Sequence, residues 1–305
     1  MKLTTNPFRK KAGASGDGAA EGLPNPMEPQ DGEMPFLDHL EELRWRIFKA
    51  LGAVLVCSVG CLFFAEWVID EILLAPTRPD FIVYEVFRMD ATEIVLQNRT
   101  ITGQFFAYFG TVLAVGILIA MPMVIYQFWK FIEPGLYDQE KEGLRFAAVF
   151  AAVFFAIGAS FGYLALMPLS LQFFANFVIS GNIINEFDIA RYFSMITTTT
   201  FGAAILFELP VVVYFLAKIG AITQAWLRLA RKYALIVILI IAAFLTPPDP
   251  FSQALMAGPM LLLYEGSIWL CGVVERRRAK DLAKLEAEAA KAAAVHNAGP
   301  RLDQM

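Results

Sequence analysis

Residues 105–132 read FFAYFGTVLAVGILIAMPMVIYQFWKFI, and this stretch decides the class of fold. A helix needs about 20 consecutive apolar residues to cross the hydrocarbon core of a bilayer, and this run is longer than that. A backbone in lipid has to satisfy its own hydrogen bonds, so the run is predicted to be a transmembrane helix.

Five further apolar runs accompany it, in a chain that is 57% hydrophobic and has a mean hydropathy of +0.55. Such a composition is rare in soluble domains and usual in polytopic membrane proteins. The first four of the six runs are long enough to cross a bilayer, whereas the fifth is too short on its own. The runs are residues 47–68, 105–132, 146–177, 189–219, 233–245 and 251–274.

A Pro-rich turn, residues 246–250, follows the short fifth run and has to reverse the chain. Pro122, Pro168 and Pro210 lie inside three of the longer runs, where each removes a backbone hydrogen bond and is expected to bend its helix. The sequence therefore predicts an all-α polytopic membrane protein. It has six transmembrane helices, kinked around a concave face, with a short final hairpin.

The Lys and Arg residues near the ends of the runs predict the orientation of the protein. They are concentrated before the first run, in the loops after the second and fourth, and after the sixth, whereas the opposite loops carry few. Both termini are therefore expected to be cytoplasmic, in a multi-pass protein of the plasma (inner) membrane. The cytoplasmic set comprises Arg44, Arg46, Lys49, Lys130, Lys141, Arg145, Lys218, Arg228, Arg231, Lys232, Arg276, Arg277, Arg278 and Lys280.

Three parts of the chain are expected to differ in character. Residues 1–34 are basic at first and then rich in Gly, Ala, Pro and Glu, without the apolar core of a signal peptide, so they predict a disordered cytoplasmic lead-in. Residues 35–274 form the six-helix domain, in which residues 69–104 are expected to be an ordered external cap. Residues 275–305 are expected to be a charged cytoplasmic tail, partly helical.

Two acidic segments lie where the positive-inside rule predicts a basic surface. Residues 39–44 read HLEELR, just before the first run, and residues 134–142 read PGLYDQEKE, between the second and third. Carboxylates at the cytoplasmic mouth of a membrane protein suit a cationic ligand that arrives from inside the cell. For the first segment, acidic residues could also simply compensate the helix dipole, a contribution of about 0.3–1 kcal/mol. The residues alone leave both interpretations open.

Carboxyl groups also lie inside the apolar runs. Glu208, in FELP (residues 207–210), would cost about 2.5–3.5 kcal/mol as a lone charge at mid-bilayer, so it is expected to face a cavity or a partner. A structural carboxyl bonded to a neighbouring helix is the alternative. Asp249 is expected to cap the N-terminus of the last helix.

The chain lacks the motifs of an energy-converting enzyme. It has no nucleotide-binding glycine loop, nucleophile elbow or metal-ligand cluster, and its three cysteines lie in apolar runs. We therefore expect no catalytic residue, cofactor, metal site or nucleic-acid partner. Any work that the protein performs needs an outside source, for which the membrane potential is the natural candidate.

Four motifs in order resemble the TatC family, the six-span receptor subunit of the twin-arginine protein translocase. FLDHLEELR (residues 36–44) is similar to the amino-terminal motif of that family, and YQFWKFIEPGLYDQE (126–140) to its first cytoplasmic loop. FELP (207–210) and LTPPDPFSQ (245–253) are similar to its fourth span and last external turn. The resemblance covers about residues 35–275, and the lead-in, the loop 77–104 and the tail depart from it.

This resemblance implies export of folded proteins by a complex that is driven by the proton motive force. The partners would be twin-arginine signal peptides, single-span proteins of the TatA and TatB type, further copies of the chain and the lipid bilayer. By motif position, Glu42 and Glu140 would contact the paired arginines, with Arg44 and Phe131 supporting that surface. Residues of the groove and partner-docking surfaces would be Glu208 and Gln253, and Pro76 matches a proline of the first external loop.

Two other functions compete with this one. An ion-coupled solute transporter would use Glu208 as a proton site, but the chain shows no internal repeat of the kind many such transporters have. A passive scaffold for other membrane helices would not need the clustered acidic motifs.

Overall fold

The computed structural model describes residues 36–132, 138–245 and 250–297, and gives side chains for residues 40–132, 147–245 and 250–291. The main helices are α1 (Phe36–Phe63), α4 (Gly103–Ile132), α5 (Asp138–Phe161), α6 (Met167–Asn176), α7 (Ile189–Leu206), α8 (Leu209–Lys218), α9 (Gln224–Leu245) and α10 (Pro250–Asn297). Short helices α2 (Ala65–Trp67) and α3 (Ile82–Phe87) and strands β1 (Leu96–Gln97) and β2 (Phe187–Asp188) belong to the loops that the sequence predicts to be external, called the external loops below.

The six predicted spans are present, and one of them is short. Among the described residues, five helical segments are long and apolar enough to cross a membrane: Leu40–Phe63, Gly103–Ile132, Ala147–Asn176, Ile189–Lys218 and Pro250–Lys291. The sixth span is α9, whose first turns carry Arg228, Arg231 and Lys232 and leave only residues 233–245 apolar. At 1.5 Å per residue that apolar part is about 20 Å long, well below the thickness of a bilayer core.

The final hairpin consists of α9 and α10, and only α9 is short. The Tyr264 hydroxyl donates to the Leu227 carbonyl (2.8 Å) and the Gln253 amide to the Leu239 carbonyl (2.9 Å), so α9 and α10 pack antiparallel. Helix α10 then continues without a break from the span through Asn297, which the expectation of a short hairpin missed. The reason is composition, because Ala, Glu, Lys, Arg and Leu, all strong helix formers, follow Gly272.

The prolines act differently in the three kinked spans. Phe207 and Glu208 separate α7 from α8, because Pro210 lacks an N–H and its ring clashes with the carbonyl one turn before it. Pro168 lies in the first turn of α6, directly after a π-helical turn, Gly162–Leu166. By contrast, α4 runs through Pro122 as one helix. The kink is therefore a true interruption only beside Glu208.

Helix α1 is the least buried of the long spans, and it packs mainly along α4. The two backbones come closest at Gly116, where an added Cβ atom would lie 2.5 Å from the Ser58 Cα atom. Only glycine permits such an approach, as is common where membrane helices pack through small residues. Cys61 and Val112, buried beside this crossing, complete the contact.

The external loops form a folded cap over the ends of α6 and α7. Tyr163 and Tyr192 donate hydrogen bonds to the carbonyls of Ile72 and Leu73, each 2.5 Å long. Gln172, buried in α6, bonds both the N–H and the carbonyl of Thr92, each at 3.0 Å. Side chains of the spans thus satisfy backbone groups of the cap that no regular structure pairs.

Strands β1 and β2 join the first external loop to the second as a short parallel pair. Directly after β2, Asp188 caps α7 by accepting bonds from the N–H groups of Ala190 and Arg191, both at 3.1 Å. These bonds, the Arg191 N–H first, hold the pKa of Asp188 below its usual value. The start of α7 is therefore fixed to the cap.

We expect Gly116→Val to separate α1 from α4 and to destabilise the protein by about 1–3 kcal/mol, because the new side chain would overlap the Ser58 backbone. The measurement is the apparent melting temperature of the detergent-solubilised protein. Gly110→Val is the matched control, since no atom lies within 4 Å of an added Cβ atom there. Equal melting temperatures for the two variants would contradict the close approach.

Tyr84 of α3 is buried and donates a 2.6 Å hydrogen bond to the Pro76 carbonyl. Burial raises the pKa of Tyr84 to about 12. Its contribution to stability is therefore complete below the unfolded pKa of about 10 and is lost as the pH rises from about 10 to about 12. Tyr84→Phe should cost about 0.5–1.5 kcal/mol at pH 8 and flatten the loss of thermal stability over that alkaline range. Tyr233→Phe, at an exposed hydroxyl, should change neither.

Candidate functional site

The start of α1 and the end of α4 lie at the same end of the helix bundle. Glu42 is as far before Ser58 along α1 as Ile132 is after Gly116 along α4, about 24 Å at 1.5 Å per residue. Because Ser58 and Gly116 touch and the helices are antiparallel, Glu42 and the last turn of α4 are level with each other. This end is the one predicted to be cytoplasmic.

One carboxylate oxygen of Glu42 accepts hydrogen bonds, and the other accepts none from the described residues. Its Oε1 atom accepts from Arg46 Nε (3.0 Å) and from Arg46 Nη2, one turn along the helix. Its Oε2 atom is buried and has no hydrogen-bond partner among the described residues. The side chain itself is only 23% exposed. A buried oxygen without a donor is costly, so Glu42 keeps an unused capacity to accept a hydrogen bond.

Glu41, the residue before Glu42, is much more exposed and pairs with a different arginine. It points to the other side of α1 and pairs with Arg44 at 3.3 Å, and both side chains are more than half exposed. An exposed pair of this kind contributes little and is easily opened. Arg44, which we expected to lie beside Glu42, therefore forms its ion pair with Glu41. The arginine that contacts Glu42 is Arg46. The spacing of four residues from Glu42 to Arg46 is the sequence signal that could have identified this pair.

The last turns of α4, which are level with Glu42, carry several aromatic side chains. Trp129 is buried and meets Phe215 of α8 edge-on, with ring centroids 5.4 Å apart. Phe131 is half-buried, and Phe128 is exposed. Trp129 thus anchors the end of α4, while its neighbours are left at the surface.

Glu140 lies in the first turn of α5, which packs on α4. Its backbone is thereby placed one loop after Phe131, at the same end of the bundle as Glu42. Its side chain is outside the described residues, so its distance from Glu42 stays untested. Asp249, the predicted cap of α10, also lies outside the described residues.

Glu208 occupies the interruption between α7 and α8. Its N–H donates to the Ile205 carbonyl (3.1 Å), and its own carbonyl accepts from Val211 and Val212 (2.9 and 3.0 Å). The Oε1 atom of its side chain is buried and finds no partner in the described part of the chain. The backbone is therefore satisfied at the break, and the carboxyl is not.

A cavity of about 290 Å³ opens between α4, α5 and α7, and its wall is almost entirely apolar. Thr200 contributes to the wall, and its hydroxyl is buried without a partner among the described residues. Glu208 does not line this cavity; it lies about two helical turns further along the chain. This cavity is thus separate from the Glu208 carboxyl, and the expectation that Glu208 faces a cavity or a partner stays a prediction.

The remaining predicted residues have structural contacts. Gln253 is half-buried and ties α10 to α9 through the Leu239 carbonyl. Pro76 is buried in the cap, and its carbonyl is the one that Tyr84 binds. Glu265, a further carboxyl inside the last apolar run, pairs with Arg231 of α9 at 2.7 Å.

Comparison with known proteins gives one consistent family. The family described as Sec-independent protein translocase protein (TatC) matches residues 38–259. The TatC protein of Aquifex aeolicus is 35% identical over 252 residues, which is 82% of this chain and all of that protein. The TatC protein of a Blattabacterium of Periplaneta americana is 32% identical over 266 residues, 83% of this chain and again all of that protein.

Two solved structures of TatC receptors are also similar to this chain. The crystal structure of a twin-arginine translocase receptor, TatC, superposes with a TM-score of 0.64 at 35% identity, and covers 77% of this chain and 99% of that one. The crystal structure of such a receptor in the detergent DDM gives a TM-score of 0.65 at the same identity, over 76% of this chain.

Proposed function

The chain belongs to the TatC family of Sec-independent protein translocase proteins and is a multi-span membrane protein of that translocase, and from this premise we propose that it is the receptor subunit that binds twin-arginine signal peptides. Binding occurs at the cytoplasmic face of the inner membrane, where both termini lie. The cargo is folded protein, and the proton motive force drives its export.

The unpaired Oε2 atom of Glu42, on a side chain that is 23% exposed at the predicted cytoplasmic end, is the observation that carries the proposal. A guanidinium group forms forked, charge-assisted bonds to a carboxylate, and a half-buried carboxylate strengthens them by excluding water. Arg46 compensates part of the charge of Glu42 in this partly buried place. A peptide arginine then binds Oε2 or displaces Arg46 from Oε1.

A second carboxylate accounts for the second arginine of the peptide. Glu140, in the first turn of α5, supplies it from the neighbouring helix, and Phe131 offers an aromatic surface between the two sites. Arginine stacks on such faces as well as binding carboxylates, whereas lysine reproduces neither interaction well. Arg44 contributes indirectly, because it holds the competing charge of Glu41.

The polar groups within the spans are assigned to partner helices. Glu208 has an unsatisfied carboxyl beside a helix break, and Gln253 lies at the external end of α9 and α10. Polar side chains of a single-span partner of the TatA or TatB type would satisfy such groups in lipid. The working unit is a homo-oligomeric complex with these partners. The chain acts as a receptor, without enzymatic chemistry or a cofactor.

We expect Glu42→Gln and Glu140→Gln each to weaken binding of a twin-arginine peptide by about 10- to 100-fold, because each removes a charge-assisted pair worth about 1.5–3 kcal/mol. The measurement is fluorescence anisotropy of a labelled peptide with the protein in nanodiscs. Glu41→Gln is the control on the same turn and should change the affinity less than twofold. Wild-type affinity in the double variant would end the proposal.

Arg46→Met should raise the affinity for the same peptide about 1.5- to twofold, since the peptide arginine no longer competes for Glu42 against a helical pair worth about 0.2–0.5 kcal/mol. Arg44→Met, which frees only Glu41, is the control. A loss of affinity in Arg46→Met would instead make Arg46 part of the binding surface.

A further inference from the structure

Helix α10 extends far beyond the membrane. At 1.5 Å per residue, its 48 residues span about 72 Å, of which a bilayer with its headgroups accounts for about 40–45 Å. The last 30 Å or so therefore project into the cytoplasm. This extension lies after residue 259, where the match to the family ends, so the family function does not account for it.

The base of the extension is held by opposite charges at two helix ends. The Glu275 carboxylate accepts from the N–H of Gln224 (3.2 Å), at the positive end of α9. Arg278, one turn later, covers Gly220 at the negative end of α8, so closely that an added Cβ atom would lie 1.7 Å from its Nη1 atom. Gly220 has a φ of 77°, which also requires glycine. The face of α10 that carries Arg278 is thereby fixed toward the bundle.

Beyond Arg278 the same face becomes apolar. Leu282, Leu285 and Ala289 follow it at spacings of four, three and four residues, the repeat of a coiled-coil seam. Leu282 is 51% and Leu285 44% exposed, so the described part of the chain leaves this seam uncovered. An apolar stripe on one face of a helix in water is normally buried against another element, so this uncovered seam is suited to binding a second helix.

Charges on the two sides of this seam select the partner. Asp281 and Glu288 lie along one side and Glu286 along the other, by the 100° turn per residue. A second copy of the tail would bring carboxylates against carboxylates in either orientation, which disfavours self-pairing. The basic residues lie on the far side of the helix: Arg276, Arg277, Lys280, Lys284 and Lys291.

We propose that residues 275–291 form a docking helix for a partner protein, and that the docked segment is an amphipathic helix whose apolar stripe is flanked by Lys or Arg. The anchor at Gly220 and Gln224 sets the angle of this helix and directs its seam under the cytoplasmic face of the bundle. The partner is thus held beside the receptor surface without occupying it.

The test uses the full chain in nanodiscs and two synthetic 21-residue helical peptides with leucine at positions a and d. One peptide carries lysine at positions e and g, and the other carries glutamate. We expect the lysine peptide to bind at least tenfold more tightly, and Leu282→Ala/Leu285→Ala, which keeps helix propensity, to remove that binding. Arg277→Gln/Lys284→Gln, on the far side, is the matched control and should keep it.

Three results would overturn the proposal. The first is equal binding of both peptides or no effect of the double Ala variant. The second is a dimer in mass photometry that this variant abolishes, since a second copy would then occupy the seam. The third is binding that appears only after removal of residues 1–34, whose Lys2, Arg9, Lys10 and Lys11 would then be the occupant. Twin-arginine peptide binding in the same preparations stays independent of these outcomes.

Discussion

The contact between the Ser58 backbone and Gly116 fixes the position of α1 along α4, and with it the position of the proposed receptor surface at Glu42. Helix α1 packs mainly on α4, so nothing else of comparable extent sets its depth in the membrane. A shift of α1 by one turn, about 5.4 Å, would move Glu42 out of level with the aromatic end of α4. The proposed recognition residues, at the end predicted to be cytoplasmic, thus depend on a contact about 24 Å away along the helices.

The opposite end of the bundle solves a different physical problem. The external loops are irregular, and irregular backbone near a membrane needs partners for its polar groups. Tyr163, Tyr192 and Gln172 supply them from the spans, and Asp188 fixes the start of α7 to the same loops. With α6 and α7 fixed at their external ends, the interruption at Glu208 has rigid helix on its outer side.

Local sequence patterns predicted most of the helices, because length and hydropathy are properties of a run. The short apolar part of α9 and the break before Pro210 follow from composition and from the chemistry of proline, and both are present. The pairing of Glu42 with Arg46 was missed, although its signal was local, because Arg44 lay nearer in the sequence. The Ser58–Gly116 contact and the β1–β2 pair were out of reach, since they join segments that only tertiary packing brings together.

Several buried polar atoms lack a hydrogen-bond partner within the described part of the protein. Among the described side chains, buried oxygens without partners occur at Glu42, Ser58, Thr199, Thr200 and Glu208. The Ser58 hydroxyl faces Gly116 at the close crossing of α1 and α4. At Glu42 and Glu208 the oxygen belongs to a carboxyl group, and a buried carboxyl oxygen without a donor costs more than a hydroxyl. Under the proposed function, a cationic peptide at one end and a partner helix within the membrane would supply the donors that these two carboxyl groups lack.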